Sequence, residues 1–206
     1  MSRLIVACLL SLATLVASCE ELYQEGKHYQ LLVTPIPVEK PGKVEVVELF
    51  WYGCPHCFHF EPIINKWLKQ KPADVVFRRI PAVFAENWVP HARAFYAAEA
   101  LGIMSTFHPA LFKAMHEEGQ QISDEAGMVR FAVLQGINEA QFKAAYNGFS
   151  IDGKVKQAMR YTRDSGITGV PSIIVNGKYR TGAQLAGGSD EVLKVIDFLV
   201  ARERAR

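Results

Sequence analysis

The sequence predicts an α/β fold interrupted by a block of helices. Three observations carry this. A strand–helix–strand run occupies residues 43–80, and a strand–turn–strand–helix run occupies 172–199. Between them, from 87 to 150, the apolar periodicity is wholly helical. The chain has 206 residues, 50% of them hydrophobic and 21% charged, which is a globular composition able to bury a sizeable core without disulfide staples. A formal net charge of +2, from 23 basic and 21 acidic residues, gives no case for a nucleic-acid partner.

Residues 1–18 read as a secretory signal peptide. Arg3 is the positive start, and Leu4 to Val16 is an apolar run too short to span a bilayer. Val16-Ala17-Ser18-Cys19 has the form of a lipobox, so Cys19 is a candidate for lipidation and membrane attachment, beside ordinary cleavage near Ser18. Export places the remaining cysteines, Cys54 and Cys57, in an oxidising compartment where disulfides persist.

Tyr29 to Val33 is a short strand, and Pro41-Gly42 a turn. Lys43 to Tyr52 is rich in β-branched and aromatic residues, as a strand covered on both faces should be. Gly53 breaks it. Pro55 favours the first position of a helix that carries Phe60, Ile63, Ile64 and Trp67 at helical spacing until Pro72. Val75 to Ile80 is the next strand. Helices follow over His91–Leu101, around Phe107 to Met115, from Ser123-Asp124-Glu125, read as an N-cap with an acidic first turn, through Gln135, and from Asn138 to Tyr146. Another runs from Ile151 to Ser165, with Val155, Met159 and Thr162 on one face. Ser172 to Val175 and Lys178 to Arg180 flank Asn176-Gly177, a type I′ hairpin signal. The last helix bears Val192, Val195, Ile196 and Leu199 and frays in Arg202 to Arg206. The expected division is a signal peptide at 1–18, an α/β unit in two parts at 19–84 and 151–206, and an inserted helical domain at 85–150.

The chemistry concentrates in Cys54-Pro55-His56-Cys57. Two cysteines three apart on the first turn of a helix can close a small disulfide ring. Cys54 lies where unpaired backbone N–H groups and the positive end of the helix dipole favour a thiolate, so it is the attacking and leaving sulfur. Cys57 is one turn inside, more buried, and is the resolving sulfur. His56 can stabilise the Cys54 thiolate further, which makes the disulfide form a strong oxidant. A structural bridge and half of a metal site are the bland readings. Zinc normally takes four ligands, and His28, His59, His91, His108 and His116 show no paired ligand spacing, so no metal and no cofactor beyond the redox-active disulfide is expected.

Phe50-Trp51-Tyr52-Gly53-Cys54-Pro55-His56-Cys57, with a later Val170-Pro171, resembles the active-site pattern of the DsbA family, nearest to its pseudomonad-like members. The resemblance covers essentially the whole chain after the signal peptide. It implies a thioredoxin fold with an inserted α-helical domain, and an exported thiol:disulfide oxidase of the periplasm that donates the Cys54–Cys57 disulfide to folding secreted proteins through a mixed disulfide at Cys54. It implies reoxidation by a DsbB-like membrane quinone reductase. It also implies a cis Pro171 facing the sulfurs, with the Val170 backbone free to pair with an extended substrate strand. A lipobox-like Cys19 departs from the soluble form of the family.

Glu48 matches the acidic residue that the family keeps under its active site. Alternation sets it on the face opposite Val47 and Leu49, and proton transfer for Cys57 is its expected role, against a strand-edge Glu reaching solvent. Glu61, four residues after Cys57, matches another family position, with Lys66 and Lys69 as candidate partners or with water alone. Trp51, Tyr52, Phe58 and Phe60 crowd the site, mostly as core, with one or two available to a peptide groove. A reductase or isomerase of the same fold and a non-catalytic peptide-binding chaperone are the alternatives. A monomer is expected.

Overall fold

The central strand explains the rest of the architecture. In the computed structural model, which describes residues 22–205, Val44–Phe50 forms β2, buried along its whole length. It lies in a five-stranded sheet of order β1-β5-β4-β2-β3. The other strands are Gln30–Leu31 (β1), Val75–Pro81 (β3), Ser172–Val175 (β4) and Tyr179–Thr181 (β5). β2 runs parallel to β3 and antiparallel to β4.

The period-two alternation of β2 divides the core. Val47 and Leu49 join one cluster with Phe95, Phe107, Leu111, Met128, Phe142 and Val155. These belong to helices α2 (Val89–Ala100), α3 (Met104–His116), α4 (Glu125–Leu134), α5 (Glu139–Tyr146) and α6 (Phe149–Asp164). Val44 and Val46 join the other, with Phe60, Ile64 and Trp67 of α1 (Pro55–Leu68) and Val192, Val195, Ile196 and Leu199 of α8 (Ser189–Arg204). The helical block therefore has no separate core. It shares one with the sheet.

Local signals place the punctuation. Asp124 and Asn138 cap α4 and α5 through their side chains. In the β4–β5 turn Asn176 and Gly177 both have positive φ, 50° and 62°. A Cβ on Gly177 would sit 1.9 Å from the Ile36 carbonyl oxygen, so only glycine lets the preceding extended segment dock there.

Several sequence expectations are corrected. β1 is two residues long, because it is an edge strand whose flank at Val33 is fully exposed. α6 begins at Phe149, two residues early, and buries Ile151, Val155, Ala158 and Thr162, with Met159 turned outward. A one-turn helix, Ala183–Ala186 (α7), was not anticipated. α8 does not fray at Arg202: Arg204 pairs with Asp74, and Glu203 accepts hydrogen bonds from Asn176, Lys178 and Tyr179. Residues 1–18 and Cys19 lie outside the described residues. No described helix is long and apolar enough to cross a membrane.

Candidate active site

Cys54 is the N-cap of α1, with extended backbone (φ −96°, ψ 116°), and Pro55 opens the helix. Gly53 permits the preceding turn: a Cβ there would lie 2.4 Å from the Trp51 ring. Both cysteines are thiols in the structure, Cys54 half-buried and Cys57 fully buried. The Cys54 thiol donates to the Val170 carbonyl oxygen at 3.4 Å, and the Val170–Pro171 peptide is cis. This loop and the start of α1 thus meet at the sulfur, although 116 residues separate them.

The two sulfurs differ sharply. The hydrogen bond from the Cys57 thiol lowers Cys54 to about 6, against burial, with help from the backbone N–H groups of Cys57 and His56 and, last, from the His56 charge. His56 itself is exposed, so the thiolate owes more to the helix start than to this side chain. Burial and then the neighbouring Cys54 sulfur push Cys57 far up. A Cys54 thiolate stabilises the reduced fold. Its folded value, about 6, lies below the ordinary 9.0, so the contribution is complete above 9.0 and lost as pH falls through about 6. The reduced protein is therefore expected to gain stability over the disulfide form as pH rises across that window. Denaturant unfolding of both forms at about pH 5.5 and about pH 8.5 checks this.

Glu48 has no exposed surface, which excludes the solvent-reaching reading of this residue. Its register partner on β3 is Arg79, whose Nε donates to Glu48 Oε2 at 2.9 Å. Glu48 Oε1 has no hydrogen-bond partner among the described residues. Burial raises the Glu48 carboxyl to about 7, opposed by Arg79 and assisted by the Glu61 charge. Glu61 does not pair with Lys66 or Lys69. It pairs with Arg79 at 3.1 Å and with His108 at 3.1 Å, and accepts from Asn65 at 3.0 Å. Lys66, in the last turn of α1, and Lys69, its C-cap, are both exposed.

Arg79, His108 and Asn65 were not anticipated at the site, and Tyr52 only as one of its crowding aromatics, not as a partner of His108. The readable signal was an Arg inside the strand Val75–Pro81, and a His between Phe107 and Leu111 on a helix face. Of the four crowding aromatics, Tyr52 and Phe60 are core, while Trp51 and Phe58 are half-buried. Trp51 stacks on Trp88 with ring centroids 4.1 Å apart, and Phe58 stacks on His116 at 5.2 Å. A groove of about 680 Å³ opens along the Val170-Pro171 loop, lined by His56, His59, Val170, Pro171 and Leu185, without any of those four aromatics and without either cysteine. Among the described residues no group of three or more His, Cys, Asp or Glu could hold a metal ion.

The reactive arrangement is one accessible sulfur poised as a thiolate, one buried sulfur that cannot ionise unaided, and a buried carboxyl near neutrality beneath them. Residues 79–194 match the family of DSBA-like thioredoxin domains. The chain is 42% identical over 207 residues to the thiol:disulfide interchange protein DsbA of Pseudomonas aeruginosa, covering 100% of this chain and 98% of that protein. It is 39% identical over 204 residues to the DsbA of Burkholderia cepacia, covering 97% and 96%. The crystal structure of Pseudomonas aeruginosa DsbA superposes with a TM-score of 0.85 at 44% identity, over 89% of this chain and 95% of that one. The oxidoreductase DsbA from Xylella fastidiosa superposes with a TM-score of 0.83 at 34% identity, over 90% of this chain and 100% of that one.

Proposed function

The chain belongs to the DsbA family and is a thiol:disulfide oxidoreductase acting on protein dithiols, and from that premise we propose how its residues divide the work. In the oxidised protein a substrate thiolate attacks the Cys54 sulfur. The Cys54–Cys57 bond breaks, the electron pair leaves on Cys57, and a mixed disulfide joins substrate to Cys54. Cys57 is too buried to remain charged. Glu48, poised near 7, supplies its proton, through water where the gap requires it. A second substrate thiolate then attacks the substrate sulfur and expels Cys54 as a stable thiolate. The substrate leaves with a disulfide, and the enzyme is left as a dithiol.

Reoxidation runs this in reverse, with Glu48 accepting the Cys57 proton. The partner is a DsbB-like membrane quinone reductase, and the substrates are folding secreted proteins with free thiols. The setting is the periplasm, reached by the signal peptide at 1–18, with Cys19 as the site of a lipid anchor. The protein works as a monomer, and its only redox group is the cysteine pair. Val170 and Pro171 hold the approaching peptide, Pro55 and His56 shape the reactive turn, and Glu61 orders the charges below. In this reading 85–150 is an insertion between the two parts of the thioredoxin-like unit, 19–84 and 151–206.

The contrast between the two sulfurs carries the oxidase direction: a stable Cys54 thiolate favours the reduced enzyme and drives the disulfide onto substrate. Equilibration of the protein from residue 20 onward with glutathione tests it. The reduced form is expected to persist at oxidising ratios. A disulfide that survives strongly reducing ratios overturns this in favour of a reductase or a structural bridge.

A further inference from the structure

Below the sulfurs lies a buried histidine that the cycle above does not use. His108 on α3 is 5% exposed, yet both ring nitrogens are engaged. Nε2 lies 3.1 Å from Glu61 Oε1, and Nδ1 lies 2.7 Å from the Tyr52 hydroxyl. An ionised carboxylate can only accept, so Nε2 carries the proton and Nδ1 accepts from Tyr52. Burial disfavours the imidazolium, against the pull of Glu61, and burial likewise keeps the Tyr52 hydroxyl protonated. Around the ring stand Phe50, Phe95 and Phe112, edge-on at centroid distances of 5.1–6.2 Å. They offer no competing hydrogen bond and fix the ring plane.

The chain of contacts continues past Glu61. Arg79 Nη2 reaches Glu61, and Arg79 Nε reaches Glu48. One guanidinium therefore serves two buried carboxylates. Glu48 is flanked by Arg79 on β3 and by Ile173 on β4, and Glu61 and Cys57 of α1 are near enough for their charges and its own to act on one another. Its proton affinity depends on how closely Arg79 is held to it, and Glu61 is the competitor for Arg79. A carboxylate that loses one donor leans harder on those that remain.

We propose that His108 is a positioning residue for the thiol–disulfide reaction: by donating to Glu61 it sets how Arg79 is divided between Glu61 and Glu48, and so whether Glu48 holds a proton for Cys57. Tyr52 belongs to the same device, since its hydroxyl fixes the His108 tautomer that can donate. The proposal rests on the reading of Glu48 as the proton carrier of Cys57. It does not require His108 to touch substrate or to change charge.

The test is an infrared pH titration of the reduced protein, following the carboxylic-acid band that Glu48→Gln removes. Beside it, the release of glutathione from a Cys54–glutathione mixed disulfide is timed against pH. His108→Leu is expected to raise the midpoint of both profiles by about half a pH unit or more, the scale of one hydrogen bond to a carboxylate. Tyr52→Phe should move it the same way by less. His108→Gln, which keeps a donor, should return it toward the parent value. In a Glu61→Gln background His108→Leu should have no effect. An unmoved infrared midpoint in folded His108→Leu overturns the proposal, and so does an equal shift in the Glu61→Gln background. Should His108→Leu not fold, Tyr52→Phe decides by the same criterion. If Glu48→Gln leaves glutathione release and its pH profile unchanged, the proton-carrier reading fails with the clause resting on it, while the infrared midpoints still judge the route from His108 to Glu48.

Discussion

A Cys54→Ser protein is expected to lose thiol oxidation down to the uncatalysed background, a fall on the order of 10³-fold or more, because the covalent intermediate has nowhere to form. The fold should survive. Cys54 is an N-cap without a side-chain capping hydrogen bond, and serine is a preferred residue there. Circular dichroism should match the reduced parent, and thermal melts should match it at about pH 5.5 but fall below it at higher pH, where the parent gains from its Cys54 thiolate, while turnover of a peptide dithiol with glutathione disulfide as oxidant should stop. Cys57→Ser behaves differently. Cys54 remains a nucleophile, but no internal thiol can release a partner that lacks a second thiol of its own, so mixed disulfides at Cys54 with such partners accumulate and can be seen by non-reducing electrophoresis. A Cys54→Ser protein that kept full activity would point to the peptide-binding chaperone reading instead.

Arg79→Met should produce the largest loss of stability. The guanidinium is the cation shared by Glu48 and Glu61, and methionine keeps the stem while removing the charge. Breaking a buried pair on one side leaves the other uncompensated, at a cost of about 3–5 kcal/mol. For a chain of this size that is a fall of roughly 6–20 °C in melting temperature. The sign with pH is determined by the carboxyls. Glu48 already stands near 7 with Arg79 lowering it, and removal of Arg79 raises it further. The variant can therefore relieve its penalty by binding a proton at a pH where the parent's Glu48 is still ionised, so the gap to the parent should narrow as pH falls toward 7 and stay narrowed below it. Melts at about pH 5 and about pH 8 decide this, and a gap that widened at the lower pH would refute the assignment.

Much of this molecule is readable because its signals are local. Cys54-Pro55, Ser123-Asp124-Glu125, Asn138 and Asn176-Gly177 each declare a backbone state within three or four residues, and each stands where a cap or turn is found, with Asp124 the cap of its segment. Helical and strand periodicity likewise separates the inserted helices from the sheet. The charged layer under the sulfurs is not legible in this way. Glu48 faces Arg79 only through the β2–β3 register, and Glu61 meets His108 only because α3 packs across α1. Lys66 and Lys69 were the natural partners by sequence spacing, and tertiary packing chose Arg79 and His108 instead. A buried His among Phe107, Leu111 and Phe112 looks like ordinary core until both its nitrogens are traced.

The sheet order has a consequence for how the molecule comes into being. β2 meets β3 soon after it emerges, but its other neighbour, β4, and the Val170 carbonyl that faces Cys54 belong to the last quarter of the chain. During vectorial release from a ribosome or a translocation channel, the cysteines appear long before the wall that completes their site. For that interval the central strand has an open edge, and the sulfurs lack the loop that will face them. The long-range closure makes assembly slow. It also means that the nascent chain is itself a thiol-bearing client before it becomes a disulfide donor, and an already folded copy is competent to oxidise it.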